Sequence, residues 1–307
     1  MTGPSSGNKT LIFTRRRFIL SLTASVGLGA AATACGIRVR DSFDSPFKPF
    51  WDDLDQVTPA AGIKTSISFG DSIQKLIAAG ALDSDRLGSH YTSGAGLPGW
   101  VKQLFAAPSA EPILLSFETA PYLLDLLWPL GLANKATFNT SSPINGPHLA
   151  SFASTGGWPF GKETNGSVYF NSVESIRLTE AQERKVLDAA NKVFRPCCDN
   201  STYFQDCNHG SALLGLIELA AAQGASANEL YRIALAANSY WFPDQYAKTA
   251  LYFALFEGRP WNEVPAELVL GPRFSSLSGW QSNVNAPLRL ASFMSRTGQM
   301  QQGACAV

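Results

Sequence analysis

Hydrophobic side chains recur at helical spacing through most of the chain after residue 60, and strand-like alternation of apolar and polar positions is rare. Thr179 opens a capping box with Gln182, and the apolar positions after it keep a helical period as far as Phe194. Ser226 and Glu229 form a second capping box. The pattern predicts a mostly α-helical, bundle-like body with long irregular loops and little strand.

The stretch GSALLGLIELAAAQG, residues 210–224, is apolar around almost its whole helical circumference. Such a pattern predicts a helix buried at the centre of the body. We expect Gly224 to end this helix. Its single acid, Glu218, needs a partner or a function if it is buried, and Arg195 is the candidate partner.

An apolar helix is also predicted in the first half, from about Ala120, with Thr119 as its N-cap. Pro129 is expected to bend or stop its last turn, so that Gly131 follows the end of the helix. The glycine- and proline-rich stretch 139–167 is the best candidate for a loop between two lobes.

Composition and charge limit the class of protein. Hydrophobic residues make up 45% of the 307-residue chain and charged residues 16%, which favours a packed globular body over a disordered one. The first 34 residues hold four of the 24 basic residues and no acid, so the remainder carries 20 basic residues against 24 acids, a net charge near −4. Because nucleic-acid binding depends on an excess of positive charge, we expect no nucleic-acid partner.

The basic cluster near the start is followed by a short, mildly apolar stretch that ends in ATAC. A membrane-spanning helix needs about 20 strongly apolar residues, and this stretch is too short and too mild for one. The segment resembles a bacterial twin-arginine export signal, and the matching residues are Thr14, Arg15, Arg16, Phe18 and Ile19. The resemblance covers the leader alone and implies export, often of a folded protein that has loaded a cofactor. An uncut N-terminal membrane anchor is the alternative.

The end of the leader allows two kinds of cleavage. Ala32, Thr33 and Ala34 satisfy the rule for ordinary signal peptidase. Together with Cys35 they also resemble a lipoprotein box, although that family usually has Leu where Ala32 stands. We favour lipidation of Cys35, which implies an extracytoplasmic protein, in the periplasm or at the cell surface, anchored to a membrane through its N-terminus.

The predicted organisation therefore has three parts. Residues 1–34 form the export signal and residues 35–60 a tether rich in proline, aspartate and aromatic residues. Residues 61–307 form the helical body, with candidate lobes at 61–150 and 168–300.

Candidate chemistry concentrates in RPCCDNSTYFQDCNHG, residues 195–210, which holds three of the five cysteines and one of the three histidines. The segment lies between two predicted helices, and Asn208 is the expected N-cap of the second. That position sets Cys207 just before the helix and His209 in its first turn, where backbone amides stabilise a thiolate.

Three interpretations of this segment remain open. Disulfides persist outside the cytoplasm, and lipidation of Cys35 would leave four cysteines, enough for two bridges whose pairing the sequence does not fix. Alternatively, the segment forms a site for Zn²⁺ or copper. Its ligands would be drawn from Cys197, Cys198, Cys207, His209 and Cys305, with Asp206 as another candidate for the fourth ligand.

The third interpretation is thiol catalysis by Cys207 with His209 as base. Positions i and i+2 of a helix do not face each other, so we expect this pair to make a poor dyad. His90 and His148 lie in predicted loops and can each join a metal site in space, although an ordinary surface role explains them equally.

Several common motifs are missing from the sequence, including the nucleophile elbow, the P-loop, the dinucleotide fingerprint and the zinc-protease and haem-attachment signatures. We therefore expect an exported, membrane-anchored lipoprotein with a transition-metal or redox site at the cysteine–histidine segment. The alternative is a non-catalytic, disulfide-stabilised binding or scaffold protein. Its aromatic loops at 156–161 and 275–282 would hold a small molecule or a protein whose identity the sequence does not give.

Overall fold

The computed structural model describes residues 55–91, 96–154 and 160–291. The described residues all belong to one compact unit of the chain. Several positions predicted to matter lie outside the described residues, namely the leader, Cys35, most of the tether, residues 156–159 of the first aromatic loop, and Cys305.

The described body is mostly helical, as the hydrophobic pattern predicts. Its helices and strands, in chain order, are β1 Ile63–Lys64, α1 Ser72–Ala78, α2 Ser84–His90, α3 Gly99–Ala106, β2 Leu114–Leu115, α4 Ala120–Ala133, α5 Leu149–Ala153, α6 Glu180–Lys192, α7 Asn208–Ala222, α8 Ala227–Trp241, α9 Pro243–Glu257, α10 Ala266–Leu270, α11 Pro272–Ser275 and α12 Leu277–Trp280. The two strands pair antiparallel, with Ile63 opposite Leu115.

Helix α7 lies at the centre of the body, which confirms the prediction made from its apolar circumference. Every residue from Gly210 to Ala221 is buried. Helices α4, α6 and α8 pack around it. Because α7 is enclosed on all sides, its first turn has a fixed position, and the segment that leads into it is held against the core.

Two glycines allow α4 and α7 to pack with their backbones in contact. A β-carbon on Gly131 would lie 1.8 Å from the carbonyl oxygen of Ser211, and one on Gly215 would lie 2.7 Å from the amide nitrogen of Gly131. No side chain fits at either position. The contact lies within the first two turns of α7, so it helps to fix the point where this helix begins.

The predictions of two capping boxes are confirmed. Both capping boxes form, at the starts of α6 and α8, and Gly258 ends α9 in the left-handed conformation with a φ of 61°. The prediction for the end of α4 is wrong, because the helix continues through Pro129 and Gly131 to Ala133. Every residue of α4 from Leu126 onwards is buried, and this packing offsets the hydrogen bond lost at the proline.

A second, smaller core cluster lies around α9 and the short helices that follow it. It includes Trp280, only 4% exposed, whose indole nitrogen donates to the Gln245 carbonyl oxygen at 3.1 Å. The prediction of an aromatic loop at 275–282 is therefore wrong, since these residues form short helical turns around a buried tryptophan. None of the described helices is both long and apolar enough to cross a membrane.

Candidate metal centre

The cysteine–histidine segment leaves α6 at Val193 and returns to the core at α7. A bridge between Phe194 and Ser201 closes the first part of the segment into a tight loop, supported by a 2.8 Å bond from the Thr202 amide to the Val193 carbonyl. Cys197 and Cys198 lie in this loop. The chain then runs directly back to α7, which brings both cysteines towards Cys207.

The outer side of the loop is attached to α12. The Leu277 amide donates to the Cys198 carbonyl oxygen at 2.9 Å, and the Ser278 amide donates to the Asp199 carboxylate at 2.7 Å. The second bond lowers the pKa of Asp199. The loop is therefore held from two sides, by the core below it and by α12 above it.

Arg195 is the internal support of the segment, with 0% of its side chain exposed. Its guanidinium donates to the carbonyl oxygens of Asn200 and Phe204 at 3.0 and 3.2 Å, to the Cys207 sulfur at 3.2 Å, and to the Asp206 carboxylate. The other oxygen of Asp206 accepts a bond from the Asn200 side chain at 2.7 Å. One buried side chain thus fixes both the path of the loop and the position of one sulfur.

The glycine after His209 makes room for this guanidinium. A β-carbon on Gly210 would lie 2.7 and 2.8 Å from the Nη2 and Cζ atoms of Arg195, too close for any real contact. Gly210 also donates its backbone N–H to the Cys207 sulfur at 3.4 Å. Since glycine lacks a side chain, the first turn of α7 can lie directly against Arg195.

Cys207, rather than the expected Asn208, is the N-cap of α7. The prediction is displaced by one residue because the sulfur of Cys207 accepts the backbone hydrogen bond that an asparagine side chain was expected to accept. The helix N-terminus and Arg195 therefore direct positive charge at the same sulfur atom.

Two groups of ligand atoms meet at Cys207. Cys197, Cys207 and His209 form one group, and Cys198, Asp206 and Cys207 form the other; within each group the ligand atoms lie within 4.8 Å of one another. The sulfurs of Cys197 and Cys207 are 3.7 Å apart. The segment therefore brings four of the five predicted metal ligands together, and the fifth, Cys305, lies outside the described residues.

The expected disulfide within the loop does not form. Cys197, Cys198 and Cys207 are free thiols, and the 3.7 Å between the nearest two sulfurs is far from the roughly 2.05 Å of a sulfur–sulfur bond. A bridge that involves Cys305 is a prediction about residues outside those described.

The three thiols do not share the negative charge equally. Hydrogen bonds from Cys197 and Cys198 lower the pKa of Cys207 despite its burial, with smaller help from His209 and from the charge of Arg195. Hydrogen bonds to Cys198 and Cys207 raise the pKa of Cys197. For Cys198, the bond with Cys197 lowers the pKa, but the bond with Cys207 and burial raise it to about 11. Of the three thiols, Cys207 is the one whose pKa is lowered.

His209 occupies the second position of α7, and its ring packs against Trp241 and Phe242 with centroids 5.6 and 4.6 Å away. The expectation that Cys207 and His209 do not face each other is wrong, because their ligand atoms lie within 4.8 Å. The i, i+2 argument applies inside a helix. Cys207 has extended backbone angles as the N-cap, and its side chain is therefore free of the helical direction.

Asp125 is a charged residue near this site that sequence reasoning missed. The Tyr91 hydroxyl donates to its carboxylate. Burial raises the pKa of Asp125, while the Tyr91 bond and the charges of His90 and His209 lower it. A single acid in the apolar helix α4 was the available signal, of the same kind that drew attention to Glu218 in α7.

The other two histidines lie apart from the ligand groups. His90 is the last residue of α2, where its ring meets Tyr91 and Phe160 edge-on. His148 is exposed and immediately precedes α5. Neither belongs to a group of ligand atoms around Cys207.

Glu218 is buried, as predicted, but its predicted partner is wrong. Arg195 pairs with Asp206 instead, and both carboxyl oxygens of Glu218 lack a hydrogen-bond partner among the described residues. Burial raises the pKa of Glu218 well above its usual value, against the opposing effect of the Asn134 side chain, and the negative charge of Glu183 adds to the increase. This carboxyl group lies outside the metal-ligand groups, and its burial favours the neutral form.

Comparison with known proteins adds no function to this geometry. No protein-family model matches the chain, and neither the curated proteins nor the solved structures include a significant match.

Proposed function

We propose that this chain is an exported, lipid-anchored protein whose cysteine–histidine cluster binds a transition metal, either Zn²⁺ or copper. One observation carries the metal proposal: the ligand atoms of Cys197, Cys207 and His209 all lie within 4.8 Å of one another at the start of a buried helix. Thiolate and imidazole are donors that both metals accept.

The spacing of the sulfurs supports this proposal. With a zinc–sulfur distance of about 2.3 Å, two sulfurs at the corners of a tetrahedron are about 3.8 Å apart. The sulfurs of Cys197 and Cys207 are separated by 3.7 Å. These two donors therefore already have the spacing of a zinc-bound pair, while a disulfide would require the loop to move.

The rigid surroundings of Cys207 also favour metal binding. Its sulfur accepts hydrogen bonds from the Arg195 guanidinium and the Gly210 amide, and both donors are held by the buried core. Outer donors of this kind orient a metal ligand and are part of the design of natural sites. The donor atoms are thus positioned before any metal arrives, which lowers the conformational cost of binding it.

The metal proposal is tested on protein produced with its own leader and purified under reducing, metal-free buffer. Elemental analysis after loading with Zn²⁺ or Cu⁺ should give about one ion per chain. His209→Ala should lose the metal, and His148→Ala, which removes an exposed imidazole outside the cluster, should retain it. Cys207→Ser should also lose it, because Cys207 belongs to both ligand groups.

Metal-free wild-type protein under all loading conditions would overturn the metal proposal. If mass spectrometry of protein purified without reductant then found the cysteines oxidised in pairs, the disulfide-stabilised scaffold would be the better account. Retention of metal by Cys207→Ser would show that the ion binds elsewhere in the chain.

The proposed export and membrane anchoring of the protein rest on the leader sequence alone. The cluster from Thr14 to Ile19 resembles a twin-arginine signal, and Cys35 follows a lipoprotein-like box. Replacement of Arg15 and Arg16 by Lys should block export, and Cys35→Ala should move the exported protein from the membrane to the soluble fraction. Intact mass of the mature wild-type protein should include acyl chains. A soluble wild-type protein that begins at an unmodified Cys35 would overturn the lipid anchor.

A further inference from the structure

The donors around Cys207 differ in how free they are to bind a metal. Cys198 and Asp206 belong to one group with Cys207, while Cys197 and His209 belong to the other. The five donors do not form a single group with every ligand atom within 4.8 Å of the rest. The other hydrogen bonds of these donors show which of the two groups is free to bind a metal.

Asp206 and Cys198 already have roles in the loop. One carboxylate oxygen of Asp206 accepts from Arg195, and the other accepts from the Asn200 side chain at 2.7 Å. The sulfur of Cys198 lies 3.7 Å from Asp206 and 4.0 Å from the Asn200 carbonyl oxygen. Coordination by either residue would break the network that holds Arg195 beneath the site.

Cys207 belongs to both groups and accepts from Arg195 and Gly210 in either case. Cys197 and His209 differ from Cys198 and Asp206 because their side chains make no hydrogen bond to Arg195 or Asn200 among the described residues. Cys197 is exposed in the loop, so one side of its group faces solvent. His209 lies on the other side, against Trp241 and Phe242. A metal at this group thus has protein on one side and solvent on the other.

We infer that the metal is held by three protein ligands, Cys197, Cys207 and His209, and keeps a fourth position open to an exchangeable small ligand. The inference rests on the proposed metal site. In natural zinc sites, four protein ligands mark a structural role, and three protein ligands with one open position mark a site that binds water or substrate.

Charge indicates the class of ligand that this open position takes. Two thiolates neutralise one Zn²⁺, and the Arg195–Asp206 pair beneath them adds no net charge. The loaded site is therefore neutral, and it can accept water, a small anion or a thiolate without accumulating more than one negative charge. The hydrogen bond from Arg195 to the Cys207 sulfur draws electron density from one thiolate, which favours an additional electron-rich ligand.

The test uses Co²⁺ as a spectroscopic substitute for Zn²⁺ in the full chain, kept reduced with a phosphine so that no added thiol competes. The intensity of the sulfur-to-cobalt charge-transfer band reports the number of bound thiolates. Cys198→Ser and Cys305→Ser should leave the band at its wild-type intensity. Cys197→Ser should lower it by about half, since one of two thiolates is lost.

The wild-type protein supplies an independent measurement that needs no variant. Addition of 2-mercaptoethanol should increase the charge-transfer intensity by about half, because a third thiolate enters the open position. Azide should shift the visible bands without adding to the sulfur band.

The outcomes distinguish failure of the open coordination position from failure of metal binding itself. A band that falls by about a third in Cys198→Ser or Cys305→Ser, or a spectrum indifferent to both added ligands, would mean a closed four-ligand site. This result would overturn the open position and leave the metal proposal intact. Failure of the wild-type protein to bind Co²⁺ or Zn²⁺ would overturn both.

Discussion

Arg195 and Glu218 are both ionisable residues with 0% exposure, and their surroundings differ in the partners that they offer. The guanidinium of Arg195 donates to four acceptors, among them a carboxylate and a sulfur. The carboxyl group of Glu218 has no hydrogen-bond partner among the described residues. A buried charge with a complete set of partners stays ionised, while a buried acid without one stays protonated.

The same contrast appears in their pKa values. Burial opposes the charge of Arg195, but Cys207, Cys198 and Asp206 raise its pKa above the ordinary value. For Glu218, burial is the largest effect on the pKa and raises it well above the ordinary value. A buried side chain is therefore held in its ionised form only where neighbouring groups stabilise the charge.

Arg195→Ala should have the largest effect. It leaves Asp206 without its cationic partner and removes four donors from the loop, and loss of one member of a buried pair costs about 3–5 kcal/mol. Urea unfolding of wild type and variant measures the change. Arg184→Ala is the matched control, because its ion pair with Glu180 is 65% and 88% exposed and should contribute no more than about 0.5 kcal/mol. A loss below about 1 kcal/mol in Arg195→Ala would contradict the role assigned to this side chain.

Gly210→Ala tests the packing of the same guanidinium from the other side. The new β-carbon would lie within 2.8 Å of Arg195 atoms, so we expect a loss of about 1–3 kcal/mol by overpacking, even though alanine favours helix. Gly99→Ala is the control, since it lies in the first turn of α3 with no atom within 4 Å of the added carbon. Thermal unfolding compares them. Equal stability of the two variants would show that the first turn of α7 can move away from Arg195.

The fold was largely predictable where the signal is local. The capping boxes at Thr179 and Ser226 and the apolar circumference of α7 are properties of neighbouring residues, and all three predictions are confirmed. The end of α4 was predicted wrongly, because burial against α7, far away in sequence, decides whether a helix continues through Pro129.

The sequence predicted which residues belong to the candidate site. It did not predict which hydrogen bonds and ion pairs they form. The density of cysteine and histidine at 195–210 identified the segment, and the structure brings those residues together. The partner of Arg195, however, lies eleven residues away in the same loop rather than in α7. Asp125 lies close enough to His209 to interact with it because α4 packs beside the site. No pattern among neighbouring residues in the sequence predicts that packing.

Glu218→Gln should have the smallest effect, and it should stabilise the protein. The folded-state pKa of Glu218 is raised, so its contribution to stability is fully present below the ordinary pKa of 4.5 and is lost as pH rises towards the folded value. At neutral pH the variant should therefore be more stable, because wild type must take up a proton to keep this group buried and a neutral amide does not. Below pH 4 the two proteins should converge.

Denaturant unfolding as a function of pH measures this difference. Glu111→Gln, a change at an exposed glutamate, is the control and should follow the wild-type curve. A variant that is less stable than wild type at neutral pH would indicate that the charged form of Glu218 has a partner.

X-ray absorption spectroscopy of the zinc-loaded, reduced full chain tests the central claim most directly. The account predicts two sulfur scatterers at about 2.3 Å and two nitrogen or oxygen scatterers at about 2.0–2.1 Å, from Cys197, Cys207, His209 and one exchangeable ligand. A shell made of nitrogen and oxygen alone, or zinc that washes off the protein, would contradict it.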